Sequence, residues 1–268
     1  MNVLKRRKNV FLLALIFPLV WAGCKNDGGF NVFSIEDDIS LGLQVSSEIE
    51  SDSSFEILDP NDPANNTAYQ YLYDMRDEIL AAGNLKYQDE FEWEVKIIHD
   101  DSVQNAFATP GGYMYIYTGL IHYLESASAL AGVLGHEMAH ADRRHSTNQL
   151  TKRYGLSVLL EVVLGQNQGL LSDIAATLLV LKFSRNDEAD ADEHSVIYLC
   201  PTDYHADGAA DFFQKIIDEG SSTPPQFLST HPSPDNRVED IHAKEAELAC
   251  NNPGKTVSEY DAFKASLP

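Results

Sequence analysis

The sequence is short of positive charge and of cysteine, and its body has no hydrophobic run long enough to cross a membrane. Its 268 residues include 3 cysteines, and 19 lysines and arginines against 41 aspartates and glutamates, for a formal net charge of −22. An acidic surface of this kind argues against nucleic acid as a partner and against electrostatic docking on anionic lipid. The apolar stretches at 158–163 and 174–181 are too short to span a bilayer, so they predict core helices or a flap. The chain shows no internal repeat and no low-complexity segment.

The N-terminal segment is typical of a signal peptide. A charged region at Lys5–Lys8 precedes an apolar run at 10–20, which is shorter than a comfortable transmembrane span. Two small residues then stand before Cys24, as in a bacterial lipobox, although Trp21 occupies a position where leucine is usual. We therefore expect cleavage before a lipidated Cys24, followed by a tether at 24–34. The alternative is a plain secretory peptide with an incidental cysteine.

Lipidation of Cys24 leaves two cysteines for other uses. In an exported protein, Cys200 and Cys250 are candidates for a disulfide between the end of one predicted helix and the C-terminal helix. Two free thiols are the alternative. Removal of the signal peptide, residues 1–23, takes away four positive charges and no negative ones, so the formal net charge falls from −22 to −26.

Hydrophobic periodicity predicts a mainly helical α+β domain over residues 35–268. Apolar residues recur at helical spacing in six segments, with helices expected at 35–50, 69–82, 125–144, 184–199, 207–219 and 236–249. Phe91–Ile98 alternates apolar and polar residues as a half-buried strand does. Asn105–Leu120 predicts two strands joined by a turn at Pro110-Gly111-Gly112. We expect these strands to form a small, mostly antiparallel sheet beside the helix at 125–144.

One predicted helix carries the residues on which chemistry can be built. Its segment Val133–His140 contains His136 and His140 with Glu137 between them, which is the H-E-x-x-H pattern. At about 100° per residue, the two histidines lie about 40° apart around the helix, so both can reach one metal ion. Glu137 points to one side, where it can act as a general base on a metal-bound water. The alternative is a helix whose histidines only pack or contact solvent.

A catalytic zinc site needs a third protein ligand. The extended H-E-x-x-H-x-x-G-x-x-H signature is excluded, because Arg143 and Ser146 occupy its glycine and third-histidine positions. His145 is close in sequence, but it lies about 140° around the helix from His140 and faces away. His145 is therefore expected to be structural.

An acidic segment downstream offers the missing ligand. Ser184–Asp192 opens a predicted helix on which Glu188 and Asp192 share one face, since they are one turn apart. A carboxylate here can complete two histidines around zinc and leave the fourth position for water. Asp192 would then accept the outer N–H of a ligand histidine. The alternative is a carboxylate cluster that only stabilises the start of the helix.

These motifs, in this order, resemble one family of peptidases. H-E-x-x-H followed by S-R-x-x-E-x-x-A-D is similar to the gluzincin metallopeptidases that include CAAX prenyl proteases, HtpX, the mitochondrial Oma-type proteases and the periplasmic BepA-type proteases. Further matching pieces are Asn105-Ala106-Phe107, Pro110-Gly111-Gly112, Gly119-Leu120, Arg144-His145, Ser229-Thr230-His231-Pro232 and Arg237. The resemblance runs from about Glu36 to Ala243 and implies a zincin-like metallopeptidase domain. Because the chain lacks transmembrane helices, it is similar to the soluble, lipoprotein branch.

The resemblance implies a role for each residue of the site. His136, His140 and Glu188 match the zinc ligands, and Glu137 matches the general base. His231 matches a histidine that approaches the metal, where it either assists the oxyanion or caps the zinc in a closed form.

Two further matches concern the surroundings of the metal. Arg237 matches an arginine that lines the same site. Asn105, Ala106 and Phe107 belong to the predicted hairpin, whose exposed edge can pair with an extended peptide and lay it across the metal. An ordinary hairpin with no substrate role is the alternative.

The expected function is that of a zinc endopeptidase with one Zn²⁺ per chain. It would hydrolyse peptide bonds of misfolded or unassembled cell-envelope proteins, with Glu137 activating a zinc-bound water. The lipobox and the resemblance together predict a location in the envelope of a Gram-negative bacterium, with the lipid anchored in the outer membrane. The partners would be protein or peptide substrates, not nucleic acid. Two alternatives are an envelope chaperone or assembly factor with a gated zinc site, and an inactive homologue with a structural zinc, against which the intact Glu137 speaks.

Overall fold

The structure, a computed structural model, describes residues 33–167, 169–220, 225–232 and 236–268. The predicted signal peptide, Cys24 and the tether up to residue 32 lie outside these residues. The helices of the described part are α1 (Ile35–Ser51), α2 (Asn66–Ala81), α3 (Thr118–Tyr123), α4 (Ala127–Asp142), α5 (His145–Tyr154), α6 (Leu156–Val163), α7 (Gly169–Leu179), α8 (Arg185–Leu199), α9 (Gly208–Glu219), α10 (Phe227–Thr230), α11 (Arg237–Leu248) and α12 (Val257–Lys264). The strands are β1 (Glu94–Ile98), β2 (Ala106–Ala108) and β3 (Tyr113–Tyr117).

The mainly helical α+β architecture predicted from the periodicity is confirmed. The six predicted helices correspond to α1, α2, α4, α8, α9 and α11, with ends displaced by a few residues. The apolar stretches at 158–163 and 174–181 lie in or next to α6 and α7. Helices α3, α5, α10 and α12 were not predicted. Each has 10 residues or fewer, which is too short for an apolar face to stand out from the sequence.

The three strands form one mixed sheet in the order β1-β3-β2. β2 and β3 are antiparallel across the predicted turn, with Phe107 opposite Tyr115. β1 runs parallel to β3, from Glu94 opposite Tyr113 to Ile98 opposite Tyr117. The sheet is therefore not mostly antiparallel as expected. The chain reverses direction between β1 and β2 and again between β2 and β3, so β3 points the same way as β1.

The predicted strand at Phe91–Ile98 begins later than expected. Trp93 has a φ of 49°, in the left-handed region, and regular strand geometry starts only at Glu94. The Trp93 side chain is 2% exposed, and its indole N–H donates to the carbonyl oxygen of Gln88 at 3.1 Å. Burial of the indole and this hydrogen bond hold a backbone conformation that bulky residues rarely adopt.

The sheet lies between two hydrophobic clusters. Met114 and Ile116 of β3 face one cluster, which also contains buried side chains of α2, α4, α8 and α9. Tyr113, Tyr115 and Tyr117 face the other, together with side chains of α1, α5, α6 and α7. This division follows from the alternation of side chains along a strand. β2 forms an edge of the sheet and lies directly beside α4.

Helix α4 runs through the centre of the protein and is buried along its whole length. The hydroxyl of Ser126 caps its first turn by accepting a hydrogen bond from the backbone N–H of Ala129 at 3.0 Å. On one side, Ser195 of α8 donates to the carbonyl of Gly132 at 2.9 Å. On another, α9 comes so close that a Cβ at Gly132 would lie 2.1 Å from the backbone nitrogen of Ala209. Helices α8 and α9 therefore fix the position of α4.

Candidate metal centre

Two histidines and a glutamate of α4 converge at the centre of the protein. His136 and His140 lie one helical turn apart, and their Nε2 atoms are 3.0 Å from each other. Both side chains are at most 1% exposed, and so is Glu137 between them. Neither carboxylate oxygen of Glu137 has a hydrogen-bond partner among the described residues.

Glu188 reaches the same point from α8. A capping box starts this helix: the Ser184 hydroxyl accepts from the N–H of Asp187 at 3.2 Å, and the Asp187 carboxylate accepts from the N–H of Ser184 at 3.0 Å. With the start of the helix fixed, Glu188 faces α4. Its Oε1 lies 3.5 Å from Nε2 of His140, and its Oε2 lies 3.5 Å from Nε2 of His136.

His231 closes the group from a third direction. It follows α10, and its ring stacks on that of Phe227 with centroids 4.1 Å apart. Nδ1 of His231 is 3.3 Å from Nε2 of His136 and 3.2 Å from Oε1 of Glu188. On its other side, Nε2 of His231 is 3.4 Å from Oε1 of Glu137. In this conformation His231 contacts both the ligand group and the predicted base.

The four side chains that converge here are those of His136, His140, Glu188 and His231. They bring ligand atoms within 4.8 Å of one another, and all four are buried. Two histidine Nε2 atoms 3.0 Å apart can share only one proton, so lone pairs outnumber protons in this group. Buried lone pairs without a partner are unfavourable, and a cation between them satisfies them. Imidazole and carboxylate are also the donors that zinc takes in catalytic sites, so the residues fit a zinc ion.

Burial and neighbouring charges move the pKa values of these groups in different directions. Burial acts to lower the pKa of His136, but hydrogen bonds with Asp192 and Glu188 outweigh it and raise that pKa to about 9. Burial lowers the pKa of His140 well below its usual value. For Glu188, burial acts to raise the pKa, yet the surrounding histidines hold it well below the usual range. Burial raises the pKa of Glu137, which suits a group that must accept a proton.

Asp192 and Arg237 lie behind the ligand group. Oδ1 of Asp192 is 2.9 Å from Nδ1 of His136, on the side of the ring that faces away from the other ligands. Arg237, the first residue of α11, donates to Asp192 through Nε at 2.6 Å and through Nη2 at 2.7 Å. Its Nη2 is also 3.1 Å from Oε2 of Glu188, and its guanidinium lies 3.8 Å from the ring centre of Phe213. Arg237 thus contacts the ligand group directly.

His145 does not face away from His140, and this expectation was wrong. α4 ends at Asp142, and Arg144 adopts a left-handed φ of 60° before α5 begins at His145. The turn brings His145 back, so that its Nδ1 lies 3.0 Å from Nδ1 of His140. Its Nε2 lies 3.1 Å from Oδ2 of Asp190. The expectation failed because it assumed one continuous helix through residue 145.

The predicted substrate-binding residues lie on and next to β2. Phe107 pairs with Tyr115 and stacks on its ring with centroids 4.8 Å apart, so it faces the sheet and the core. Because hydrogen-bonded residues alternate along an antiparallel pair, the backbone groups of Ala106 and Ala108 point away from β3. Of the predicted residues, Ala106 therefore turns its backbone to the outer side of β2 and Phe107 does not. Ala106 is 0% exposed, so this side of β2 is buried and the expectation of an exposed edge was wrong.

The neighbours of β2 place its outer side beside the site. The carbonyl of Asn105 accepts from the backbone N–H of Tyr117 at 3.1 Å, which fixes the start of the pair. The carbonyl of Ala108 accepts from the Ser146 hydroxyl at 3.3 Å, and the backbone of Ala108 lies close enough to the Glu137 carboxylate to oppose the rise of its pKa. The sequence did not single out Ala108, because the outward residues of a strand depend on its register.

Comparison with known proteins identifies the family. A family model described as "Peptidase family M48" matches residues 67–245, which include the metal-ligand group and Arg237. The chain belongs to peptidase family M48. The family predicted from the motifs is therefore confirmed.

The M48 domain is similar to several curated relatives. The chain is 34% identical over 143 residues to mitochondrial metalloendopeptidase OMA1 of Arabidopsis thaliana. This match covers 53% of the chain and 29% of the relative. It is 27% identical over 213 residues to the beta-barrel assembly-enhancing protease of Yersinia pestis, which covers 74% of this chain and 42% of the relative. The chain is also 26% identical over 228 residues to mitochondrial metalloendopeptidase OMA1 of Schizosaccharomyces pombe. This match covers 83% of the chain and 65% of the relative. In each case the chain spans less than two thirds of the relative.

A disulfide connects two helices of the M48 site. It joins Cys200, at the end of α8, to Cys250, just after α11, with the two Cα atoms 5.2 Å apart. These helices carry Glu188 and Arg237. The disulfide therefore links their far ends, while contacts at the metal group link their first turns. No helix among the described residues combines the length and apolar composition needed to cross a bilayer.

A second group of possible metal ligands lies on the surface of the M48 domain. Asp207, His242 and Glu245 each bring one ligand atom within 4.8 Å of the others. Nδ1 of His242 lies 3.0 Å from Oδ2 of Asp207, and the His242 side chain is 50% exposed. His242 is therefore not a neutral control for zinc binding, whereas His122, whose side chain is 40% exposed and which belongs to neither group, is a suitable one.

Proposed function

We propose that this chain is a zinc-dependent endopeptidase that hydrolyses peptide bonds of cell-envelope proteins. The observation that supports this most directly is the position of Glu137, which is buried beside two histidines and a second glutamate. Within the part of the chain that the structure describes, neither of its oxygens has a hydrogen-bond partner. A carboxylate in that position has a clear use as a base and none as a structural group. Membership of family M48 agrees with this assignment.

The metal would be held by His136, His140 and Glu188. A bound Zn²⁺ supplies Lewis acidity, which lowers the pKa of a water molecule and polarises a peptide carbonyl. Glu137 takes the proton from the water and returns it to the leaving amine, helped by a pKa that burial raises. Arg237 and His231 are the cationic or proton-donating groups that contact the ligand set, so they are the residues that would stabilise negative charge on the carbonyl oxygen.

The outer side of β2 would hold the substrate once it is uncovered. The backbone groups of Ala106 and Ala108 point away from β3, and Ala108 lies beside Glu137, but both residues are buried in this conformation and the Ala108 carbonyl accepts from Ser146. An extended peptide that pairs with this edge gains main-chain hydrogen bonds that do not depend on its sequence. Such binding suits substrates recognised because they are unfolded. The proposed stoichiometry is one Zn²⁺ per chain.

His231 would act as a gate. Its 1% exposure and its contacts with Glu188 and Glu137 support a closed form in which it caps the ligand group. A substrate can reach Glu137 only after His231 moves. The same closure favours a second candidate function, that of an envelope chaperone or assembly factor whose zinc site stays shut while it binds unfolded clients.

The proposed location is the envelope of a Gram-negative bacterium. The Yersinia pestis relative is named a beta-barrel assembly-enhancing protease. We extend an envelope role to this chain, with misfolded or unassembled envelope proteins as substrates. Residues 1–23 would be the signal peptide, Cys24 the site of a lipid anchor in the outer membrane, 24–34 the tether and 35–268 the peptidase domain.

Zinc content and cleavage of casein, measured on the full chain and three variants, test the proposal. Glu137→Gln should keep zinc and lose cleavage, because it removes the base but no ligand. His231→Ala should keep zinc, because His136, His140 and Glu188 remain. Cleavage should rise if capping is the dominant role of His231, and fall if stabilisation of the carbonyl oxygen is. His122→Ala is the control and should leave both unchanged, because His122 belongs to neither metal-ligand group.

The outcomes separate the two candidate functions. Zinc in the wild type together with cleavage that Glu137→Gln abolishes supports the peptidase. An active Glu137→Gln chain contradicts the assignment of the base. Bound zinc with no cleavage by the wild type or by His231→Ala, combined with persistent binding of an unfolded client, favours the chaperone.

A further inference from the structure

His145 lies between His140 and a carboxylate that does not reach the metal-ligand group. The side chain is 1% exposed, and each of its ring nitrogens has one neighbour within hydrogen-bond distance. Nδ1 lies 3.0 Å from Nδ1 of His140, and Nε2 lies 3.1 Å from Oδ2 of Asp190. The three residues therefore form a continuous chain of hydrogen bonds that ends on a ligand histidine.

Helix geometry explains why an intermediate residue is needed. Glu188 and Asp192 are four residues apart and share one face of α8, so Asp192 contacts His136 directly. Asp190 is two residues from each, which places it about 200° around the helix from both. Its carboxylate instead accepts from Nε of Arg143 at 2.7 Å and from His145. Among the described residues, the hydrogen bonds of Asp190 lead to a ligand histidine through His145.

The hydrogen-bonding capacity of each group fixes where the protons lie. A carboxylate only accepts hydrogen bonds, so His145 must carry its proton on Nε2 to bond with Asp190. When His145 carries only this proton, its Nδ1 is an acceptor and Nδ1 of His140 is the donor; a second proton on His145 would reverse this hydrogen bond. The free lone pair of His140 is left on Nε2. This is the nitrogen that lies 3.0 Å from Nε2 of His136 and 3.5 Å from Oε1 of Glu188.

The orientation of both rings is restricted by their surroundings. Phe183 stacks on His140 with ring centroids 3.9 Å apart and an interplanar angle of 29°. The left-handed turn at Arg144 sets the direction from which His145 approaches, and Arg144 is itself held by an ion pair with the buried Asp38. The geometry of the chain of hydrogen bonds is thus fixed by the fold and not by the metal.

We propose that His145 is a positioning residue for His140. It holds the proton of His140 on Nδ1, so that Nε2 is presented to the metal before the metal binds. The inference rests on the proposed function only in taking His140 as a ligand. The two ligand histidines would then have different partners on α8. Asp192 acts directly on His136, whereas Asp190 acts on His140 through His145.

Zinc affinity measured by competition with a chromophoric chelator tests the proposal on the full chain. His145→Phe keeps a ring of similar shape and removes both hydrogen bonds, so zinc affinity should fall about 10–100-fold, as expected when a partner of a ligand histidine is lost. His145→Asn keeps an oxygen near the position of Nδ1 that can accept from His140, so it should recover part of the loss. His122→Phe makes the same exchange at an exposed histidine that belongs to neither metal-ligand group, and it should have no effect.

A spectroscopic measurement gives a second, independent readout. Nitrogen chemical shifts of ¹⁵N-labelled histidine report which ring nitrogen carries the proton. In the metal-free wild type, His140 should be protonated on Nδ1. In His145→Phe this preference should be lost or reduced, which a purely structural role of His145 would not produce. The wild-type measurement stands even if His145→Phe does not fold.

Two results would overturn the proposal without touching the proposed function. One is a metal-free wild type in which His140 is protonated on Nε2. The other is a folded His145→Phe chain with wild-type zinc affinity. A wild-type chain that binds no zinc would instead contradict the proposed function, and the protonation state of His140 would still be measurable.

Discussion

Arg237 holds both oxygens of Asp192, with Nε 2.6 Å from Oδ2 and Nη2 2.7 Å from Oδ1. Both side chains are almost fully buried. The same carboxylate contacts His136, so α11 is connected through Asp192 to a ligand of the predicted metal. The pair therefore supports both the fold and the orientation of the His136 ring.

We expect Arg237→Met to lower the free energy of unfolding by about 3–5 kcal/mol, because it removes the buried cation that contacts both Asp192 and Glu188 and leaves His136 as the remaining partner of Asp192. Urea unfolding followed by circular dichroism measures the change. The double variant Arg237→Met/Asp192→Asn removes the uncompensated charge and should be more stable than the single variant. Equal stability of the two would show that the buried charge is not the cause.

Loss of the disulfide should weaken the fold and leave the metal group in place. Cys200 and Cys250 are 50 residues apart in sequence. Their bond lowers the conformational entropy of the unfolded chain, which raises the free energy of unfolding by about 4 kcal/mol. Cys200→Ser/Cys250→Ser should unfold at a correspondingly lower denaturant concentration. Its zinc affinity should stay near that of the wild type, because Arg237 and Asp192 still join the two helices near the site. A variant as stable as the wild type would contradict this prediction.

Zinc binding should release a proton at neutral pH. The pKa of metal-free His136 is raised to about 9, so at pH 7 the residue carries a proton on each ring nitrogen. Nε2 must lose its proton to bind zinc, whereas Nδ1 keeps its own against Asp192. Zinc affinity should therefore rise with pH until about pH 9. Titration calorimetry in two buffers with different ionisation enthalpies counts the protons released.

The Asp192→Asn variant is the control for this proton count. It removes the charge that keeps the pKa of His136 high, so fewer protons should be released at pH 7. Identical heats in both buffers for the wild type would contradict the prediction.

Gly132→Ala should destabilise the protein although alanine favours helices. A Cβ at Gly132 would lie 2.1 Å from the backbone nitrogen of Ala209, so α4 and α9 would have to separate. Overpacking of this kind lowers the free energy of unfolding by about 1–3 kcal/mol. This loss exceeds the gain from the higher helix propensity of alanine. Gly169→Ala is the matched control, since no atom lies within 4 Å of its added Cβ. Thermal unfolding should show a lower midpoint for the first variant and an unchanged or higher one for the second.

The sequence could predict the parts of the site that regular helices position. His136 and His140, and likewise Glu188 and Asp192, lie one turn apart, and that spacing determines a shared face whatever surrounds the helix. The structure brings all four together. The main helices and the α+β class were readable for the same reason, since their apolar faces repeat over several turns.

The sequence could not predict what depends on how an element ends or pairs. His145 contacts His140 because Arg144 takes a left-handed conformation. Non-glycine residues seldom adopt this conformation, and the local sequence did not predict it. The two consecutive arginines after α4 were a usable sign that the helix ends there, since cations favour helix C-termini. The outward position of Ala108 depends on the register of β2 with β3, and register is set by packing of the whole sheet.

The stacking of His231 on Phe227 also bears on how substrates would be selected. If cleavage requires His231 to move, the measured rate is the intrinsic rate multiplied by the fraction of molecules in which it has moved. Each 1.4 kcal/mol in favour of the closed form lowers that rate about tenfold. A client that binds more tightly to the displaced form raises the active fraction by its own binding. Selection would then depend on how strongly a client stabilises that form, more than on the residues beside the bond that is cut.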